Sequence, residues 1–258
     1  MAVRFGAPDS VAFSPDGSLL AVGTNGFNQN LWVFRVADAT RLFLGTHANG
    51  TTAVAFSPDG KTLMSAGRDR MIHLWDVGTF TARLTINAVN RVTSGTYSHD
   101  GTFIVTGSQV GHIKLWRTSD GSLLRELVGH TGTVDSVQIS HDGTKLVSGA
   151  VFESNIRIWN LATGALLQTI TVPGSGDAVS VDFLAGDATV VAGTSELSVD
   201  HPEGTSFVRF WRVSDGALLL SYDRFPTGEI FSTRVSPDGR TFTFGDGGLT
   251  ILAATPIF

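Results

Sequence analysis

Apolar and polar positions alternate along short stretches of this chain, and the stretches recur. In TAVAFS (52–57), Ala53, Ala55 and Ser57 fall on one side of an extended backbone, and Val54 and Phe56 on the other. Both sides are fairly apolar, as in a strand whose sheet is covered on both faces. TLMSAG (62–67), IHLWDV (72–77) and TARLTI (81–86) continue the series, separated by turn sequences. Residues 52–86 therefore predict four consecutive strands. The first turn, SPDG, suits a tight reversal: Pro presets φ, Asp bonds its own backbone, and Gly accepts a positive φ.

The same unit returns along the chain. SPDG stands at 14–17, 57–60 and 236–239, SHDG at 98–101 and 140–143, and a degraded LAGD at 184–187. Successive starts lie 43, 41, 42, 44 and 52 residues apart. The five tryptophans, Trp32, Trp75, Trp116, Trp159 and Trp211, keep the same beat. A third marker follows: SDGSLL (119–124), ATGALL (162–167) and SDGALL (214–219), with weaker forms DATRLF (38–43) and GTFTARL (78–84). Each unit reads strand, SPDG turn, strand, short turn, strand with Trp, DG-type turn, strand. Four strands in about 43 residues predict the blade of a radial β-propeller, and six such units fit. No linker divides the array, so one all-β domain over residues 1–258 is expected. A stack of independent hairpins would leave both apolar faces of every unit in water.

Composition narrows the function. Charged residues are only 16% of the chain, while 30 glycines accompany 17 phenylalanines, a balance of turns and aromatic strands rather than helices. The net charge is −5 and Lys and Arg form no stripe, so no nucleic-acid partner is expected. Cysteine is absent, which excludes disulfides and thiolate metal sites. MAVRFGAPDS shows no signal-peptide pattern, and no apolar run reaches the roughly 18–20 residues of a membrane span. The expectation is a soluble, cytoplasmic protein with no membrane partner.

GTHANGTTAVAFSPDGKTLMSAGRDRMIHLWDV (45–77), GHTGTVDSVQISHDGTKLVSG (129–149) and IRIWN (156–160) resemble WD40 repeats, with SPDG-rich turns similar to those of bacterial members. The resemblance covers essentially the whole chain. It implies a six-bladed WD40-type β-propeller with four antiparallel strands per blade. Departures are plain. Only Trp75–Asp76 is a literal WD pair, the last unit (TFTFGDGGLTILAA, 241–254) lacks Trp, and the fifth carries a long insertion, SELSVDHPEGTS (195–206). Six units stand where the family more often has seven. By the family's habit, the N-terminal AVRF (2–5) is expected to complete the last blade.

SAGRDRMIHLWDV (65–77) holds Ser65 and Asp69, with His47 upstream, the residue types of a hydrolase triad. A hydrolase needs an exposed Ser oxygen beside an oxyanion hole. Here the Ser lies mid-strand without a G-x-S-x-G elbow. The WD40 resemblance implies instead a structural tetrad, His47, Ser65, Asp69 and Trp75. In it the indole N–H donates to the Ser hydroxyl, which donates to the imidazole, whose other nitrogen donates to Asp. Unit four repeats the set with His130, Ser148 and Trp159. Glu153 falls at the Asp position counted back from Trp, but an extra residue beside it leaves its role open. Unit three has Val110 there and no matching His. A catalytic triad would not decay across repeats in this way, whereas a brace can where packing replaces it.

Other chemistry is thin. His99 and His141 occupy matching SHDG turns without local metal-ligand spacing and read as solvated turn residues. Asp200, His201 and Glu203 offer oxygen and nitrogen donors but no calcium-loop pattern, so a polar loop is favoured. No phosphate-binding G-x-x-x-x-G-K-[ST] loop occurs. No cofactor and no metal are expected. By family analogy, the loop before each first strand and the turn between second and third strands share one binding face. That face would carry Phe27, Arg68, Arg70, Arg91, Asp135, Phe152, Asp200 and Glu203. The favoured reading is a non-catalytic scaffold, monomeric, that docks a protein or peptide. The alternatives are a propeller hydrolase or lyase with a site at the central channel, and an assembly propeller that oligomerises through an incomplete blade.

Overall fold

The computed structural model describes residues 8–24, 30–174, 177–196, 205–222, 232–236, 241–245 and 249–253. These form strands and turns, with no helix among the described residues. The first sheet holds β1 (Pro8–Phe13), β2 (Leu19–Thr24), β3 (Asn30–Arg35) and β4 (Arg41–Thr46). The second holds β5 (Thr51–Phe56), β6 (Thr62–Gly67), β7 (Met71–Asp76) and β8 (Ala82–Asn87). The third holds β9 (Val92–Tyr97), β10 (Phe103–Ser108), β11 (His112–Arg117) and β12 (Leu123–Val128). The fourth holds β13 (Thr133–Ile139), β14 (Lys145–Val151), β15 (Asn155–Asn160) and β16 (Leu166–Thr171). The fifth holds β17 (Asp177–Phe183), β18 (Thr189–Glu196), β19 (Thr205–Arg212) and β20 (Leu218–Tyr222). The sixth has three described strands, β21 (Ser232–Val235), β22 (Thr241–Gly245) and β23 (Leu249–Ala253). The AVRF segment expected to complete it lies outside the described residues. The chain divides into two compact units, Met1–Glu126 and Leu127–Phe258.

Register explains the tryptophan beat. In four sheets Trp sits on the third strand opposite the same second-strand position: Trp75 with Leu63, Trp116 with Ile104, Trp159 with Leu146, and Trp211 with Val190. In the first sheet Phe34 takes that place opposite Leu20, and Trp32, expected there from the spacing, stands two residues earlier opposite Val22. The SPDG turn uses each of its polar residues. Ser57 Oγ donates to Asp59 Oδ1 (2.6 Å) and accepts from Thr62 N (2.9 Å), and Gly60 closes the turn at φ 70°. Ser14, Ser98 and Ser140 make the same pair of bonds with Asp16, Asp100 and Asp142 and the strand beyond. These bonds hold the Asp59 and Asp100 carboxyls below their ordinary range, the Ser hydroxyl being the largest cause.

Within each unit, first strands stitch neighbouring sheets together. A one-residue bulge falls at Asp9, Thr52, Thr93, Asp135 and Val179. After several of these bulges a hydroxyl reaches the next sheet. Ser10 Oγ accepts from Val54 N (3.1 Å), Ser136 Oγ from Val181 N (3.1 Å), and Ser180 Oγ from Thr233 N (2.9 Å). Apolar side chains fill the space outward. Leu31, Val33, Val54, Phe56 and Leu63 pack between the first two sheets, and Val147, Ile158, Val181, Phe183 and Trp211 between the fourth and fifth. Each such side chain contributes on the order of 1.5–3 kcal/mol by leaving water. The leucine pairs of the SDGSLL-type markers are half-exposed, because they lie on fourth strands at the outer edge.

Candidate functional site

Two strands, a loop and a turn build the polar cluster of the second sheet. Trp75 Nε1 on β7 donates to Ser65 Oγ on β6 at 2.9 Å. Ser65 Oγ is 2.8 Å from Nε2 of His47, and Nδ1 of His47 lies 3.0 and 3.1 Å from the two oxygens of Asp69. Asp69 also accepts from the N–H of Met71 at 3.1 Å, which ties the turn to the cluster. Ser65 and His47 are buried. Burial pushes the Asp69 carboxyl upward, but the His47 bond and its charge, with the Met71 N–H, outweigh it and hold the group below its ordinary value. Close packing leaves no opening above Ser65: a Cβ on neighbouring Gly67 would stand 2.4 Å from Gly50 O and 3.0 Å from the His47 ring. A hydroxyl sealed in this way, with its oxygen shared between indole and imidazole, has no route to a substrate carbonyl.

The fourth sheet builds the same cluster by a different path. Trp159 Nε1 donates to Ser148 Oγ (2.8 Å), and Ser148 Oγ lies 2.7 Å from Nε2 of His130. Glu153 takes the acidic place and bonds Nδ1 of His130. It also accepts from Thr131 N (2.5 Å), Thr131 Oγ1 (2.6 Å) and Gly132 N (3.3 Å). The extra residue lengthens the turn, and the longer Glu side chain spans the added distance. Burial raises the Glu153 carboxyl, yet the Thr131 and His130 bonds prevail and hold it at about 2. In the third sheet Thr106 alone receives the indole of Trp116 (2.9 Å), and Val110 stands at the acidic position.

Loop and turn positions gather at one end of the sheets. In the first unit, backbone bonds join Arg68 N to Gly50 O (3.2 Å), Ala88 N to Arg70 O (2.8 Å) and Gln109 N to Arg91 O (3.1 Å). Arg68, Arg70 and Arg91 are exposed there, and Arg68 pairs with Asp9 at 3.6 Å. Val89 (63% exposed), in the loop before β9, and Val110 (50%), in the turn before β11, are two apolar tips the sequence reading did not select. The signal was available: both are apolar residues inside turns. In the second unit Asp135 is exposed at its bulge. Phe152 is 83% exposed at φ 65°, with its N–H given to Asp177 at 2.7 Å. Phe27, Asp200 and Glu203 lie outside the described residues.

Of the two SHDG histidines, His141 is tied by Nδ1 to Asp187 (2.9 Å), and His99 lines a groove of about 400 Å³ with Asp59, Arg83 and Asp100. The sequence reading also passed over His73. It lies two residues before Trp75, where the later repeats have Lys114, Arg157 and Arg209, and its ring centroid is 4.8 Å from that of His47.

Comparison with known proteins matches this geometry. The WD40 family, described as WD domain, G-beta repeat, matches at residues 40–76, 78–117 and 121–160. The chain is 28% identical over 158 residues to COMPASS component SWD3 of Saccharomyces cerevisiae, covering 61% of this chain and 50% of that protein. It is 24% identical over 249 residues to protein tipD of Dictyostelium discoideum, covering 95% and 39%. The chain thus spans half or less of the length of these relatives. Two solved structures share the fold at low identity. A chain of Kuenenia stuttgartiensis hydrazine synthase has a TM-score of 0.86 at 18% identity, covering 98% of this chain and 78% of that one. A chain of the mitotic checkpoint complex has a TM-score of 0.81 at 20% identity, covering 95% and 74%. No helix among the described residues is long and apolar enough to cross a membrane. Repeated four-stranded sheets, a tryptophan in one register of four of them, and these matches identify the chain as a WD40-repeat protein of the β-propeller fold.

Proposed function

We propose that the protein is a non-catalytic scaffold that docks a protein or peptide segment on the loop end of its sheets. Phe152 carries this reading. A phenylalanine 83% exposed loses apolar burial, and one at φ 65° also adopts a backbone conformation that costs roughly 1–2 kcal/mol for a residue with a Cβ. The side chain gains no burial in return, and an exposed aromatic on a turn is suited to anchor a partner. In the first unit the loops and turns also expose apolar tips, Val89 and Val110, and forked cations, Arg68, Arg70 and Arg91. Membership of protein complexes in the names of relatives and neighbours, COMPASS and the mitotic checkpoint complex, supports the reading. The test is crosslinking of the tagged full chain in its own cells, compared with Phe152→Ala and with Asp16→Ala at the opposite end. The scaffold reading requires partners lost with Phe152→Ala and kept with Asp16→Ala. Equal recovery from both variants contradicts it.

A second reading, assembly through an uncovered sheet face, has its own observation. Val11 (60% exposed) and Phe13 (61%) on β1 are open, whereas their register equivalents Val54 and Phe56 on β5, and Val181 and Phe183 on β17, are buried against the preceding sheet. The β1 face has the chemistry to receive one more sheet of the same kind.

A further inference from the structure

We propose that His47, Asp69 and His73 bind a single divalent transition ion of the zinc or cobalt type within the second sheet. This inference is independent of the scaffold reading. One ligand atom from each residue lies within 4.8 Å of the others. Nδ1 of His47 is already 3.0 Å from Asp69 Oδ1, close to the roughly 3.3 Å that separates two ligands on a tetrahedral zinc. A modest turn of the half-buried His73 side chain brings in the third. Two imidazoles and one carboxylate form a donor set that zinc accepts with a fourth position left for water.

Comparison between repeats shows what the cluster lacks. Where His73 stands, Lys114, Arg157 and Arg209 supply a permanent positive charge. Arg157 lies 3.4 Å from Glu153, the carboxylate of the sister tetrad. The second sheet keeps the carboxylate but has an imidazole in place of the cation. A bound ion would return the missing charge.

Orienting partners are in place. Thr85 Oγ1 is 2.9 Å from Nδ1 of His73, and Ser65 Oγ is 2.8 Å from Nε2 of His47. Such contacts fix which ring nitrogen presents its lone pair. On binding, His47 keeps one proton: Nδ1 gives it up to take the ion, and Nε2 carries it toward Ser65 Oγ.

The test is titration of tag-free, chelator-treated full chain with Co²⁺, followed by visible absorption. The proposal predicts the intense bands of four-coordinate Co²⁺ at one equivalent, and their loss on adding Zn²⁺. It predicts retention of the bands in His99→Ala and their loss in His73→Arg, which copies the residue found in the fourth repeat. Should His73→Arg fail to fold by circular dichroism, His73→Gln takes its place with the same required loss. Absence of the bands in the unaltered chain, or their persistence in a folded His73 variant, overturns the proposal.

Discussion

Arg70 holds φ at 70° in the turn where Gly111, its counterpart one repeat later, holds φ at 81°. The third sheet fills this left-handed position with the residue that adopts it freely, and the second fills it with an exposed cation. Arg70→Gly is therefore expected to raise stability by about 0.5–1 kcal/mol, part of the relieved strain being offset by the greater freedom of glycine in the unfolded chain. Phe152→Gly should act in the same direction at φ 65°. Denaturant midpoints at unchanged slope provide the check, and a fall in stability would show that the side chains serve the fold rather than the loop end.

Acid should weaken the protein in two stages. Burial, opposed by Glu153, lowers His130 from its ordinary 6.5, so the unfolded chain takes up that proton first. Stability from this group is full above about pH 6.5 and is lost as pH falls below it. Glu153 is lowered from 4.5 to about 2, so its contribution is present above pH 4.5 and disappears between there and about 2. Thermal midpoints should hold from pH 8 to about pH 6.5 and fall from there to pH 3. In Glu153→Gln the midpoint should start lower at neutral pH and lose less below pH 4.5.

The hydroxyl stitches predict a cost at a residue with no part in either tetrad. Ser136→Ala removes the acceptor for the buried N–H of Val181. A buried donor without a partner costs roughly 1–3 kcal/mol, and denaturant unfolding should show a loss of that size. A loss below about 0.5 kcal/mol would mean that water replaces the hydroxyl.

The open β1 face predicts self-association or a further covering sheet. Light scattering over a hundredfold concentration range should show larger species for the unaltered chain if copies pair through Val11 and Phe13. Val11→Lys with Phe13→Lys should then return the monomer. A concentration-independent monomer would remove copies of this chain as the covering partner.

Much of this was legible in the sequence because a repeat tests itself. Trp75 and Trp116 share one spacing from their SPDG-type turns and Trp159 differs from it by one residue, so strand order followed from counting. The His47–Ser65–Asp69–Trp75 set was implied by the WD40 resemblance, and the structure places its members on a loop, a strand, a turn and the next strand. Glu153 was harder, since one added residue hides its equivalence to Asp69 until the longer side chain is seen reaching His130. His73 went unselected because its meaning is comparative: only beside Lys114, Arg157 and Arg209 does a histidine there stand out. The exposure of Val11, Phe13, Val89 and Val110 depends on which sheet covers them, and a single strand's sequence carries no record of its cover.

The brace formed by Ser65 is tested most directly by denaturant unfolding of Ser65→Ala. The indole of Trp75 and the ring of His47 both lose their shared partner in the sheet interior. The predicted result is a two-state transition with unchanged slope and a stability lower by about 1–3 kcal/mol. A variant as stable as the unaltered chain would contradict the account and return Ser65, His47 and Asp69 to consideration as chemistry rather than scaffold.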